Sequence, residues 1–278
     1  MTALRRIRSE ALTIYAALAF LYLFLPIAVV ILFSFNNPTG RFNFTWDGFT
    51  LHNWLHPFSY PGLGPAVRLS LEIALLSSVF ATVLGTSIAL ALVRYGFRGR
   101  GVVNLLIFLP MSTPEIVMGA SLLTLFLNRG VATGFATILI AHIMFNISYV
   151  VVTVKARLVG FDGHLEEAAM DLGATPAVTF RKVTLPLIAP GIMSAALIAF
   201  ALSVDDFVIT YFNAGSETTF PLFVWGAARV AVPPQINVIG SMIFLIAIFL
   251  MVANIVIQRR RGEAPLATVS PTPVAATP

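Results

Sequence analysis

Six long runs of apolar residues, separated by more polar stretches, dominate the chain. They fall at about 11–35, 66–93, 102–127, 131–154, 189–212 and 235–257. A helix needs about 20 mostly apolar residues to cross the hydrocarbon core of a bilayer, and each run is long enough. The pattern predicts an all-α integral membrane protein with six transmembrane helices over residues 11–258. The first run is too long for a signal-peptide core and no small-residue cleavage site follows it, so it is expected to stay as a span. The last residues, 259–278, are rich in Pro, Thr, Ala and Val and are expected to be disordered.

The stretch from Lys155 to Pro190 has more pattern than a connector needs. Leu165, Ala168, Ala169 and Leu172 recur at helical spacing, which predicts a short amphipathic helix. Asp162 suits its N-cap, and Gly173 suits the left-handed residue that ends it. Thr175 and Pro176 then suit the N-cap and first position of a second short helix. The expectation is two short helices at an angle, with Glu166, Glu167 and Asp171 on the first and Arg181 and Lys182 on the second. Another polar stretch, 36–65, carries Phe42, Phe44, Trp46, Phe49, Trp54, Phe58 and Tyr60. Such rings suit an interfacial aromatic belt or a docking surface for another protein.

Charge gives the spans a direction. Arg5, Arg6 and Arg8 precede the first span, and Arg94, Arg98 and Arg100 separate the second from the third. Lys155, Arg157, Arg181 and Lys182 lie between the fourth and fifth, and Arg259, Arg260 and Arg261 follow the sixth. Only Arg41, Arg68, Arg129 and Arg229 fall on the other side. By the positive-inside rule the first group is cytoplasmic, so residues 1–10 and the tail are inside, and loops 36–65 and 213–234 are outside. Both termini on one side require an even number of spans. Composition agrees: 58% of residues are hydrophobic and 10% charged, against about 25% charged in soluble domains. The bases are spread over separate loops beside anionic lipid, not gathered into the stripe that nucleic acid binding requires. With no cysteine, disulfides and thiolate metal sites are excluded.

The polar stretch also carries a motif. Glu167-Ala168-Ala169, three residues, Gly173, nine residues, Val183, one residue and Leu185-Pro186 resemble the EAA motif of the MetI-like permeases of bacterial ABC importers. That motif runs E-A-A-x3-G-x9-I-x-L-P, and Val183 for Ile is the only departure. Pro114 to Met118, Val150 to Val154, Ser203 to Val208 and Pro221-Leu222 are similar to the spermidine/putrescine branch of that family, its C-type polyamine permeases above all. Gln235 in Pro234-Gln235-Ile236-Asn237, where Glu is usual, and Ser216, where Pro often follows Gly215, depart from the branch.

The resemblance implies a permease subunit in the cell (inner) membrane, not an enzyme. Its implied partners are a pair of ATPase subunits, a second, related permease and an extracytoplasmic substrate-binding protein. ATP and Mg are used by the ATPases, with no cofactor in this chain; no Gly-Lys pair of a Walker A loop occurs here. Glu166, Glu167, Ala168, Ala169, Asp171, Gly173, Leu185 and Pro186 would couple the ATPases to the spans. The Leu/Ala face would enter an ATPase groove, the acids would meet ATPase bases, and the helix would rock the fourth and fifth spans as a lever, giving alternating access.

Four acids fall inside spans: Glu72, Glu115, Asp205 and Asp206. Such residues cost on the order of 2.5–3.5 kcal/mol each to insert and tend to face a cavity or a partner. Arg68, one turn before Glu72, predicts a local pair. Glu115 sits beside Pro114, with Pro110 four residues earlier, where a broken helix would line a cavity. Asp205 and Asp206 point about 100° apart on a helix. These three have no nearby base, which suits a passing polyammonium cation. His142 and Asn146 are expected to hydrogen-bond between helices, and Tyr211, Phe212 and Trp225 to lie at the outer interface. An importer of another small solute (an iron chelate, a phosphonate, thiamine) and a secondary cation-coupled transporter are the alternatives. No HExxH or GxSxG motif supports an enzyme.

Overall fold

The computed structural model describes residues 2–160 and 162–260. Regular structure among them is helical, apart from two isolated β-bridges. In chain order the helices are α1 (Thr2–Phe33), α2 (His52–Leu55), α3 (Leu63–Arg94), α4 (Arg100–Ser112), α5 (Glu115–Asn128), α6 (Phe135–Val159), α7 (His164–Asp171), α8 (Pro176–Thr179), α9 (Leu185–Asp205), α10 (Val208–Asn213), α11 (Phe220–Val230) and α12 (Pro234–Arg260). A π-helical turn, Phe180–Thr184, joins α8 to α9. The tail expected to be disordered lies, from residue 261 onward, outside the described residues.

Four stretches are long and apolar enough to cross a membrane: Glu10–Phe33, Leu63–Arg94, Phe135–Val159 and Pro176–Asp205. Together α4 and α5 make a fifth, bent by 108°. The apolar stretch Pro234–Phe249 of α12 is shorter. Two predicted spans are therefore not simple rods. The third breaks at Thr113, which is extended (φ −81°, ψ 134°), because a proline pushes the residue before it out of the helical region. Pro110, by contrast, is accommodated inside α4.

The fifth span starts earlier and stops sooner than its apolar run suggests. The second short helix expected at Pro176 is not separate; it continues through the π turn into α9. In that turn the Leu185 N–H bonds to the Phe180 carbonyl, five residues back. The widened turn ends just before Pro186, whose ring would clash with the carbonyl four residues earlier in a regular α-helix. At the other end α9 stops at Asp205, and Asp206 is extended (φ −62°, ψ 119°). The external stretch expected at 213–234 holds α11, none of whose side chains is buried.

The chain forms two compact units, Met1–Tyr60 with Arg229–Pro278, and Pro61–Ala228. In the second, α3, α6 and α9 pack on one another. Ala81 and Ala89 of α3, Val150, Val151 and Val154 of α6, and Ile188, Ala195 and Ala199 of α9 share its main core. Small residues let the backbones approach where lipid supplies no hydrophobic drive between helices. Gly85 is the closest point: a Cβ there would lie 2.6 Å from Val150 Cγ1. Leu75, Val79, Val83, Leu105, Leu106 and Leu197 face outward, as helices bathed in lipid require.

In the first unit α1 packs along α12, with Phe24 edge-on to Phe244 at 6.5 Å. The loop after α1 is folded about the buried Asn36. Its amide donates to Asn43 Oδ1 at 2.7 Å and the Thr45 carbonyl at 2.6 Å, and its carbonyl accepts the Asp47 N–H at 2.9 Å. Phe35 stacks on Phe49 and Trp54. The exposed Asp47 carboxylate accepts the Thr39 N–H and hydroxyl, which hold it below the usual carboxylate range.

Candidate functional site

Three carboxylates line one cavity in the second unit. Glu115, Asp205 and Asp206 surround about 270 Å³ together with Phe145, Leu202, Phe207 and Val208. Each acid stands at a helix break. Glu115 is the first residue of α5, where the partial positive charge of the helix N-terminus favours an anion. Asp205 ends α9, and Asp206 occupies the extended joint before α10. Helices α5 and α10 meet closely: a Cβ on Gly119 would come within 2.8 Å of Phe212, and Asn213 Nδ2 donates to the Gly119 carbonyl at 3.4 Å. Phe212, expected at the outer interface, is part of this contact.

The acids divide by environment. Asp206 is buried; its Oδ2 accepts the Thr210 N–H and hydroxyl, each at 2.8 Å, and its Oδ1 the Ile209 N–H at 3.4 Å. His142 Nε2 lies 3.2 Å from the same Oδ2. Asp206 thus caps α10 and is tied to α6, and it is not free of a nearby base as the sequence suggested. Glu115 and Asp205 are exposed to the cavity, and among the described residues neither has an ion-pair partner. Glu72 is paired locally, accepting from Arg68 Nε at 2.7 Å.

His142 does bond between helices. Its Nδ1 meets Ser203 Oγ at 2.6 Å and its Nε2 meets Thr210 Oγ1 at 2.9 Å, while Ser203 Oγ accepts from Ser77 Oγ at 3.0 Å. Asn146 is buried, and its amide has no protein partner among the described residues. Phe145 was not singled out by the sequence, where only its place next to Asn146 could have drawn notice, and Phe207 was marked only as part of the Ser203–Val208 stretch, not as a pocket ring. Phe207 in turn packs on Trp225 at 5.2 Å.

The motif stretch presents a different surface. No residue of α7 is buried. Leu165, Ala168 and Leu172 face outward, Leu172 with 91% of its surface exposed. The N-cap of α7 is Gly163, one residue after the expected Asp162, whose Oδ1 instead accepts the His164 N–H at 3.0 Å from one position earlier. Gly173 adopts φ +88°, and the Ala174 N–H closes back onto the Ala169 carbonyl at 3.1 Å, a Schellman-type stop. Glu167 is exposed and lies 3.2 Å from His164 Nδ1, which raises the imidazole pKa above its ordinary value. Asp171 is exposed, and Leu185 and Pro186 open α9 with their side chains exposed. Glu166 departs from the expected outward role: its carboxylate accepts from Arg94 and from the Thr184 hydroxyl. Arg94 is 72 residues away, and nothing in the local pattern announces it.

Residues 81–261 match the family described as binding-protein-dependent transport system inner membrane component. The chain is 38% identical over 243 residues to the spermidine/putrescine transport system permease protein PotC of Escherichia coli K12, covering 87% of this chain and 91% of that protein. It is 38% identical over 251 residues to the putrescine transport system permease protein PotI of the same strain, covering 87% and 89%. Among solved structures, a bacterial alginate ABC transporter in complex with its alginate pentasaccharide-bound periplasmic protein has a similar chain. That likeness has a TM-score of 0.62 at 16% identity, over 93% of this chain and 97% of that one.

Proposed function

The chain belongs to the family of binding-protein-dependent transport system inner membrane components, and on that premise we propose that it is the membrane-spanning permease of an ATP-driven importer of polyamines. The cargo reading is carried by Glu115 and Asp205, which open, without an ion-pair partner among the described residues, into the cavity lined by Phe145 and Phe207. A polyammonium chain entering such a site exchanges water for carboxylates and aromatic faces, and an ammonium over a ring gains about 0.5–2 kcal/mol. The identity to PotC and PotI supports the same cargo.

In this scheme six spans, with α4–α5 as one bent span and α12 as the last, leave both termini in the cytoplasm. Separate ATPase subunits hydrolyse ATP and receive the outward face of α7, namely Leu165, Glu167, Ala168 and Leu172. A second, related permease completes the pathway and an external binding protein delivers the substrate. Closure of the ATPases displaces α7; because its successor runs unbroken from Pro176 to Asp205, the displacement reaches the acid cavity at the far end of the same rod.

The deciding experiment is ATP hydrolysis by the complex reconstituted with its binding protein, with and without spermidine or putrescine. Stimulation by either is the expected result. Hydrolysis indifferent to both refutes the cargo, and a chain that never co-purifies with an ATPase refutes the importer.

A further inference from the structure

Apolar burial does not anchor α7, since none of its side chains is buried. Its polar attachment is concentrated at one residue. Glu166 accepts from the Arg94 guanidinium and from the Thr184 hydroxyl. Arg94 Nη2 also donates to Thr184 Oγ1 at 3.2 Å, and the guanidinium lies 5.9 Å from the centre of the Phe180 ring. One guanidinium therefore connects the last residue of α3, the first turn of α7 and both ends of the π turn that leads into α9.

The placement suits the charges. Arg94 sits at the C-terminal end of α3 and Glu166 in the first turn of α7, the ends where a cation and an anion are each favoured. The side chains are 31% and 21% exposed, so the pair is screened less than one on an open surface. Thr184 is fully buried and cannot swing away to water. Single π turns inside α-helices often mark functional sites, and this one is held from outside by the same cluster. Without the cluster, α7 would be tied to the bundle mainly by short backbone segments, one of them turning at Gly173.

We propose that Arg94, Glu166 and Thr184 form the joint through which movement of α7 passes to α3 and α9. Arg94 and Glu166 are positioning residues: they set the angle of α7 against the bundle and do not contact the ATPase. The inference rests on the permease reading above and assigns Glu166 a role apart from that of Glu167.

The test uses the full complex in proteoliposomes, with Arg94→Ala, Glu166→Gln and the exchanged pair Arg94→Glu with Glu166→Arg. A spin label at Met170→Cys, exposed on α7 and outside the face proposed for the ATPase, in a chain with no other cysteine, reports the mobility of α7 without reference to cargo. Both single variants are expected to remain bound to the ATPase, to free the label, and to lower spermidine moved per ATP about tenfold, within the usual range of coupling between sites. The exchanged pair is expected to restrain the label again and recover part of the transport ratio. An unchanged label and ratio in both single variants overturns the proposal. So does loss of ATPase binding in Glu166→Gln, which would put Glu166 in the interface. If the unaltered complex moves no spermidine, the cargo reading fails, and the label still decides the joint.

Discussion

Adjacent in sequence, Asp205 and Asp206 occupy opposite environments, and the difference separates a buried helix cap from a carboxylate open to the cavity. Asp206 is enclosed by Thr210, Ile209 and His142, whereas Asp205 is exposed beside Glu115 in the cavity lining. Removing the acceptor of buried hydrogen bonds leaves its donors unsatisfied, at a cost of about 1–3 kcal/mol. Asp206→Ala is therefore expected to lower the thermal midpoint of the purified complex and its yield. A midpoint equal to that of the unaltered chain would contradict the capping role. Glu115→Gln and Asp205→Asn are expected to unfold like the unaltered chain but to raise the KM for spermidine about tenfold, or about 1.4 kcal/mol. Unchanged KM in both removes them from the pathway. The three acids were legible in the sequence because carboxylates are rare inside apolar runs. Which of them is satisfied was not, since His142 lies 64 positions from Asp206 and only packing of α6 against α10 joins them.

At the scale of elements, apolar run length located the helices, but their breaks came from backbone chemistry and tertiary contacts. Pro114 made the kink in the third run readable. The end of α9 at Asp205 carries no proline or glycine signal; the chain turns there because Asp206 bonds forward to Thr210 and sideways to His142. Likewise the joining of α8 to α9 follows from the π turn, which no hydrophobic period announces. Helix contact itself depends on small residues at particular heights. Gly85→Ala would bring its Cβ to 2.6 Å from Val150 Cγ1 and 3.2 Å from the Ile147 carbonyl. Overpacking of this kind costs about 1–3 kcal/mol, so the variant is expected to unfold at lower temperature, with Val150→Ala restoring part of the loss. Equal midpoints for Gly85→Ala and the unaltered chain would show that α3 and α6 yield easily there.

For the molecule as a whole, direction in the membrane is the property charge alone can supply. Gly96→Cys, at an exposed site with open space around it, is expected to react with a membrane-impermeant maleimide only from the cytoplasmic side. Phe44→Cys, exposed in the loop after α1, is expected to react only from outside; labelling of both from the same side overturns the six-span topology. What the sequence determined by itself was the solvent, the helical class and the motif that spans α7 and the start of α9. Each rests on residues close together in the chain: apolar runs of bilayer length, flanking bases, and a motif of about 20 residues. Tertiary structure decided which acids remain open to the cavity, that Glu166 turns inward to Arg94, and how the motif joins the fifth span. Those outcomes depend on side chains brought together from distant segments, and a hydrogen bond across 60 or 70 positions leaves no period in the sequence from which to foresee it.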